Sequence, residues 1–162
     1  MLNVIICVFA LSALLQQDMP PGTVIPAEDH GATLKESVAK GTVDTLMKAV
    51  DVLGGKAAVA MLYRTKPEAS ALIHEHVSEI YYILDGSGTI VTGGTLKDPK
   101  PTDLTRLAAG PSLTGTRVGG DSRRVKPKDI IMVPAGTPHS FSQLDGPISY
   151  LVYRFEPSQT KK

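Results

Sequence analysis

Short runs of alternating apolar and polar residues, punctuated by glycine and proline, fill most of the chain beyond position 50. In residues 57–64, Val59, Met61 and Tyr63 alternate with Ala60 and Leu62. With the apolar residues 50–53 and the Gly54-Gly55 step ahead of them, this predicts a β-hairpin. The same period of two predicts strands over 71–76, 79–84, 88–92, 123–126, 130–133, 139–143 and 148–155. Many short strands with glycine and proline turns, and little helix, predict an all-β sandwich or barrel. Residues 31–50 carry Leu34, Val38, Leu46 and Met47 at loosely helical spacing, but Gly41 and the threonines limit the expectation to one short helix or an irregular segment. Residues 93–121, with Pro99, Pro101 and Pro111, read as a long excursion too irregular for paired strands throughout, either a lid or a mobile insertion. The basic run 123–128 alternates like a solvated edge strand.

The N-terminus follows another pattern. Residues 1–15 are almost continuously apolar, shorter than the roughly 20 residues a membrane-spanning helix needs. They suit the apolar region of an export signal, with Ala10-Leu11-Ser12 as a small-x-small cleavage pattern, although no Lys or Arg precedes them. The expectation is a signal segment over 1–17, a periplasmic or secreted protein (cytoplasmic if the segment is not a signal), and no stable membrane anchor. Residues 16–30 are polar and proline-rich and read as an extended strap. The folded domain starts near Thr23, and 18–162 forms a single domain.

A chain of 162 residues can bury a real core without a disulfide, and Cys7, the single cysteine, has no internal partner. Lys and Arg total 17 against 16 acidic residues, so nothing in the charge balance favours nucleic acid or an anionic membrane. The expected partner is a small molecule.

Of the four histidines, three fall in two clusters. His74-Glu75-His76 is followed by Glu79; on a strand His74 and His76 face the same side, where two imidazole nitrogens can converge and Glu79 can add a carboxylate oxygen. The second cluster is Ile131-Met132-Val133-Pro134-Ala135-Gly136-Thr137-Pro138-His139, an apolar strand and a Pro/Gly corner that aims His139. An inward His139 predicts Phe141 and Gln143 inward, with Ser140 and Ser142 outward. Mixed nitrogen and oxygen donors suit one divalent Mn, Fe, Co, Ni or Zn ion rather than calcium or magnesium. Tyr81 shares the face of Glu79 and Ile83, where its phenol could donate a proton or, with a lowered pKa, act as a base. His30 has no ligand-like neighbour and reads as structural.

These two clusters resemble the two motifs of the cupin superfamily, in particular its small conserved-barrel members. The first, G-x5-H-x-H-x3-4-E-x6-G, is met by His74, His76, Glu79 and Gly86; the second, G-x5-P-x-G-x2-H-x3-N, by Pro134, Gly136 and His139. Glu68, Lys128 and Gln143 stand where the family has two glycines and an asparagine. Only Val77 and Ser78 separate His76 from Glu79, which leaves two registers. One keeps both histidines on a shortened corner, implying His74, His76, Glu79 and His139 as ligands. The other puts Leu72 and His74 in the two histidine positions, with His76 on the corner. The resemblance implies a double-stranded β-helix (jelly-roll) barrel, a metal in it, and a homodimer. It also implies either an oxygenase, lyase or isomerase acting on a small organic substrate, or a ligand-binding cupin without turnover. Glu79-x-Tyr81-x4-Gly86 is further similar to the cupin-type lyases that cleave dimethylsulfoniopropionate.

Overall fold

The structure, a computed structural model, describes residues 21–52 and 54–158. The expected signal segment over 1–17 lies outside the described residues. Among the described residues, eleven strands and one α-helix follow in the order α1 (Ala27–Lys40), β1 (Asp44–Val52), β2 (Gly55–Arg64), β3 (Ala71–His74), β4 (Ser78–Asp85), β5 (Gly88–Thr92), β6 (Thr95–Asp103), β7 (Pro111–Val118), β8 (Asp121–Val125), β9 (Ile130–Val133), β10 (His139–Leu144) and β11 (Ile148–Pro157), with a 3-10 turn at Thr105–Leu107. No helix among the described residues is long and apolar enough to cross a membrane.

The strands form two antiparallel sheets ordered β1-β2-β11-β4-β9 and β6-β7-β3-β10-β5-β8. Within them, β2-β11-β4-β9 faces β3-β10-β5-β8, and the chain switches sheet repeatedly as it passes from β2 to β11. This is jelly-roll order, and the architecture is the all-β jelly-roll barrel expected from the sequence. β1 extends one sheet and the β6–β7 pair extends the other.

The inward residues of both sheets make one core. Ala60, Leu62, Tyr81, Ile83, Val133, Ile148, Tyr150 and Val152 from the first sheet meet Ile90, Val125 and Phe141 from the second. Tyr150 sits between Tyr81 and Phe141, with ring centroids 5.1 and 5.4 Å away, a tilted aromatic stack that adds to the burial of three large side chains.

The 50–64 region forms the expected hairpin, with Val52 opposite Gly55. The basic run lies on β8, at the edge of the six-stranded sheet, where Arg123 and Arg124 pair with Asp121 and Asp145. Three expectations change. Residues 31–50 hold the expected single helix only in their first half: α1 runs to Lys40, Gly41 closes it in the left-handed conformation, and β1 begins at Asp44. The strap over 16–30 gives way to helix from Ala27. The helix is faint in sequence because its buried position is Ser37, hydrogen-bonded to Thr45 of β1 at 2.8 Å, rather than an apolar residue. The third change concerns 93–121, which is largely a paired arm: β6 against β7, and β7 against β3. Pro99 and Pro101 are tolerated because β6 is an edge strand, bulged between Lys97 and Lys100 with Asp98 at φ 53°.

Candidate metal centre

Two corners carry the chain from one sheet to the other at the same end of the barrel. The first leaves β3 at His74 and enters β4 just before Glu79; the second leaves β9 at Val133 and enters β10 at His139. The Gly136 N–H donates to the His74 carbonyl at 2.8 Å and joins the corners directly. Strand ends are fixed in register while the corners between them are short, so the three side chains point inward from defined backbone positions.

His74, Glu79 and His139 are each no more than 4 % exposed, and one donor atom from each lies within 4.8 Å of the others. His74 Nε2 is 3.4 Å from Glu79 Oε1, and His139 Nε2 is 3.4 Å from Glu79 Oε2. The far side of each ring is held. His139 Nδ1 lies 2.9 Å from the Thr137 carbonyl, an acceptor only, so Nδ1 carries the hydrogen and Nε2 the lone pair. His74 Nδ1 lies 2.9 Å from Ser112 Oγ, whose own hydroxyl has the Gly110 and Ala109 carbonyls as acceptors at 3.1 and 3.3 Å. Ser112 thus accepts from Nδ1–H, and His74 also turns an Nε2 lone pair toward the carboxylate.

Two residues complete the surroundings of Glu79. Tyr81 donates its hydroxyl to Oε2 at 2.8 Å, and Arg154 donates Nε–H to Oε1 at 2.9 Å. Burial alone would raise the Glu79 pKa. The permanent charge of the Arg154 guanidinium beside it opposes this, and the carboxyl is held well below the usual range. Burial lowers the pKa of His139, keeping its imidazole neutral. Burial and the adjacent Glu79 push the Tyr81 phenol well above its ordinary value. The base role considered for Tyr81 needed the opposite shift; here the phenol keeps its hydrogen and donates it to the Glu79 carboxylate.

His76 is not brought into the group. Its side chain is 43 % exposed, 4.0 Å from Glu75. β3 ends at His74, so the period of two that would have turned His76 inward does not extend to it. The chain follows the four-residue gap from His74 to Glu79, with Leu72 opposite His139 in the backbone ladder. Phe141 is buried, as expected. Gln143 is exposed because β10 bulges between Phe141 and Gln143 and the alternation breaks there; Ser140, expected outward, is buried where it pairs with Val91.

Arg154, Asp44, Ser112 and Thr137 were not foreseen. For Arg154 there was a signal: it continues the inward stripe Ile148, Tyr150, Val152 on β11, and a charged residue in an apolar stripe requires a buried partner. Ser112 lay in the segment read as an excursion, so its pairing with His74 across β7 and β3 was invisible.

The residues fit a divalent cation. Two imidazole lone pairs and an ionised carboxylate converge on one place, each with its outer side already hydrogen-bonded, and such a set repels itself unless a positive charge lies between.

No protein-family model matches the chain, and no curated protein matches it. Among solved structures, a Bacillus halodurans protein is 17 % identical and aligns over 90 % of this chain and 88 % of its own, with a TM-score of 0.49. A cupin 2 conserved barrel domain protein from Salinispora arenicola is 8 % identical over 85 % of this chain and 91 % of its own, at TM-score 0.46. A cupin superfamily protein from Desulfitobacterium hafniense is 15 % identical over 86 % and 96 %, at 0.41.

Proposed function

We propose that this cupin-fold chain is a small mono-cupin that holds one divalent transition metal, Mn, Fe, Co, Ni or Zn, on His74, Glu79 and His139, and that it acts as an oxygenase, lyase or isomerase on a small organic molecule. The convergence of two imidazole lone pairs on a buried, ionised carboxylate carries this reading. A metal bound there supplies Lewis-acid or redox chemistry at the coordination positions that three protein ligands leave open. The chain's own contribution is to keep both histidines in the Nε2-donor tautomer through Ser112 and Thr137, to keep Glu79 ionised, and to hold a proton on the Tyr81 oxygen beside it. Tyr81 is the proposed proton donor to substrate.

Metal content measured by inductively coupled plasma mass spectrometry tests this reading on the wild type and His76→Ala in parallel. About one equivalent of a transition metal is expected in both, since His76 stands outside the converging group. Metal-free wild-type protein would instead favour the second reading, a ligand-binding cupin without turnover. Loss of metal only in His76→Ala would restore that residue to the ligand set.

The proposal extends to a homodimer, exported after removal of residues 1–17. In support, the outer face of the five-stranded sheet carries Ile80, Ile130, Met132, Tyr153 and Phe155, all substantially exposed, around an apolar groove of about 540 Å³. Apolar side chains clustered on one face mark an interaction surface more often than isolated ones do. Light scattering of the 18–162 chain is expected to give twice the chain mass; the mass of a single chain would reject the dimer.

A further inference from the structure

Arg154 is buried to the same degree as the site itself, and its guanidinium joins four parts of the fold. On β11 it stands directly opposite Glu79 of β4 in the ladder. Nε donates to Glu79 Oε1 at 2.9 Å; Nη1 and Nη2 donate to Asp44 Oδ1 at 3.3 Å and Oδ2 at 2.6 Å on β1; Nη1 also reaches the Leu107 carbonyl at 2.6 Å in the 3-10 turn. Three charges therefore lie in a row, negative on Glu79, positive on Arg154 and negative on Asp44.

We infer that Asp44 and Arg154 are tuning residues for cation binding at Glu79, with Arg154 acting as a brake and Asp44 as its partial release. This rests on the metal-binding reading above. A guanidinium does not lose its proton in a protein, so Arg154 is a permanent positive charge touching a ligand carboxylate, in a site where little water screens it. It draws on Oε1 and leaves Oε2, shared only with the neutral Tyr81 hydroxyl, as the freer donor. Asp44 touches none of the three proposed ligands. Its effect on the cation is electrostatic, through neutralising the guanidinium. The chain thus places a positive charge against its own cation site and cancels it from one strand further away, an arrangement that weakens binding and makes the ion exchangeable.

A purely structural role predicts something else. If Arg154 only holds Glu79 in place, every change to the pair loosens the metal; if charge governs, removing Asp44 and then Arg154 moves affinity in opposite directions. The experiment is a Zn²⁺ titration against a chromophoric chelator for wild type, Asp44→Asn, the double variant Asp44→Asn/Arg154→Gln, and Arg154→Lys, with a thermal melt of each. The double variant avoids the cost of leaving a buried charge without its partner. Asp44→Asn should bind Zn²⁺ about tenfold more weakly than wild type, and the double variant should recover that loss or exceed it. Arg154→Lys, which keeps the charge without the fork, should stay within about threefold of wild type. A double variant weaker than Asp44→Asn, or a folded Arg154→Lys that has lost Zn²⁺, would overturn the tuning role while leaving the metal site standing. Wild-type protein that takes up no Zn²⁺ would remove both.

Discussion

Replacing His139 by alanine is expected to weaken metal binding by more than about 100-fold, beyond the roughly 10–100-fold that losing a hydrogen-bond partner of a ligand costs, and so to lower bound metal from about one equivalent to below about a tenth. The reason lies in the geometry of the corner. The Thr137 carbonyl fixes the Nδ1 hydrogen, so the ring offers a single nitrogen to the site, and that nitrogen faces Glu79 at 3.4 Å. Without it only His74 and Glu79 converge. The barrel should survive, because His139 enters β10 through backbone pairing with Leu72 and Thr92, which alanine retains. Its ring stands beside those of His74 and Tyr81, at centroid separations of 5.4 and 6.2 Å, and its removal should cost about 1–2 kcal/mol of stability. Metal analysis and a thermal melt of the variant check both halves. Full metal retention in folded His139→Ala would exclude this residue as a ligand.

The second large effect separates two motif glycines, Gly86 and Gly136. Gly86 has φ +80°, and a Cβ there would fall 2.2 Å from the Pro147 carbonyl oxygen and 2.8 Å from the Ile148 Cα, both backbone atoms with no freedom to give way. Gly136 has φ +78°, yet a Cβ would meet nothing within 4 Å. Gly86→Ala should therefore cost about 3–5 kcal/mol, combining left-handed strain with displacement of the β11 entry. Gly136→Ala should cost only the conformational strain, about 1–2 kcal/mol. Urea denaturation of the two variants measures the difference, and equal losses would contradict the close approach at Gly86. The motif glycine after β4 thus serves to let two chain segments touch, at a place remote in sequence from its partner.

Much of the barrel was legible because its strands obey the period of two on an apolar core. Gly88–Thr92 and Ile130–Val133 match their expected limits, and Glu79, Tyr81 and Ile83 share the buried face foreseen for them. The pattern failed where pairing overrides it. The β6–β7 arm has prolines on an edge strand, which no local rule distinguishes from a loop. The bulge in β10 turned Gln143 outward, and the end of β3 left His76 on the corner.

By itself, the sequence determined the all-β class and the two corners, because short-range periodicity and turn chemistry are local properties, and the resemblance of its two motifs singled out three of the side chains that meet there, His74, Glu79 and His139. The tertiary structure alone decided which of two registers the first corner uses, and which partners hold the three in place. Ser112 lies 38 residues from His74, Arg154 lies 75 from Glu79, and Asp44 lies 110 from Arg154. A buried charge needs a partner at hydrogen-bond distance, but only the pairing of β11 with β4 and the stacking of β1 beyond β2 place that partner.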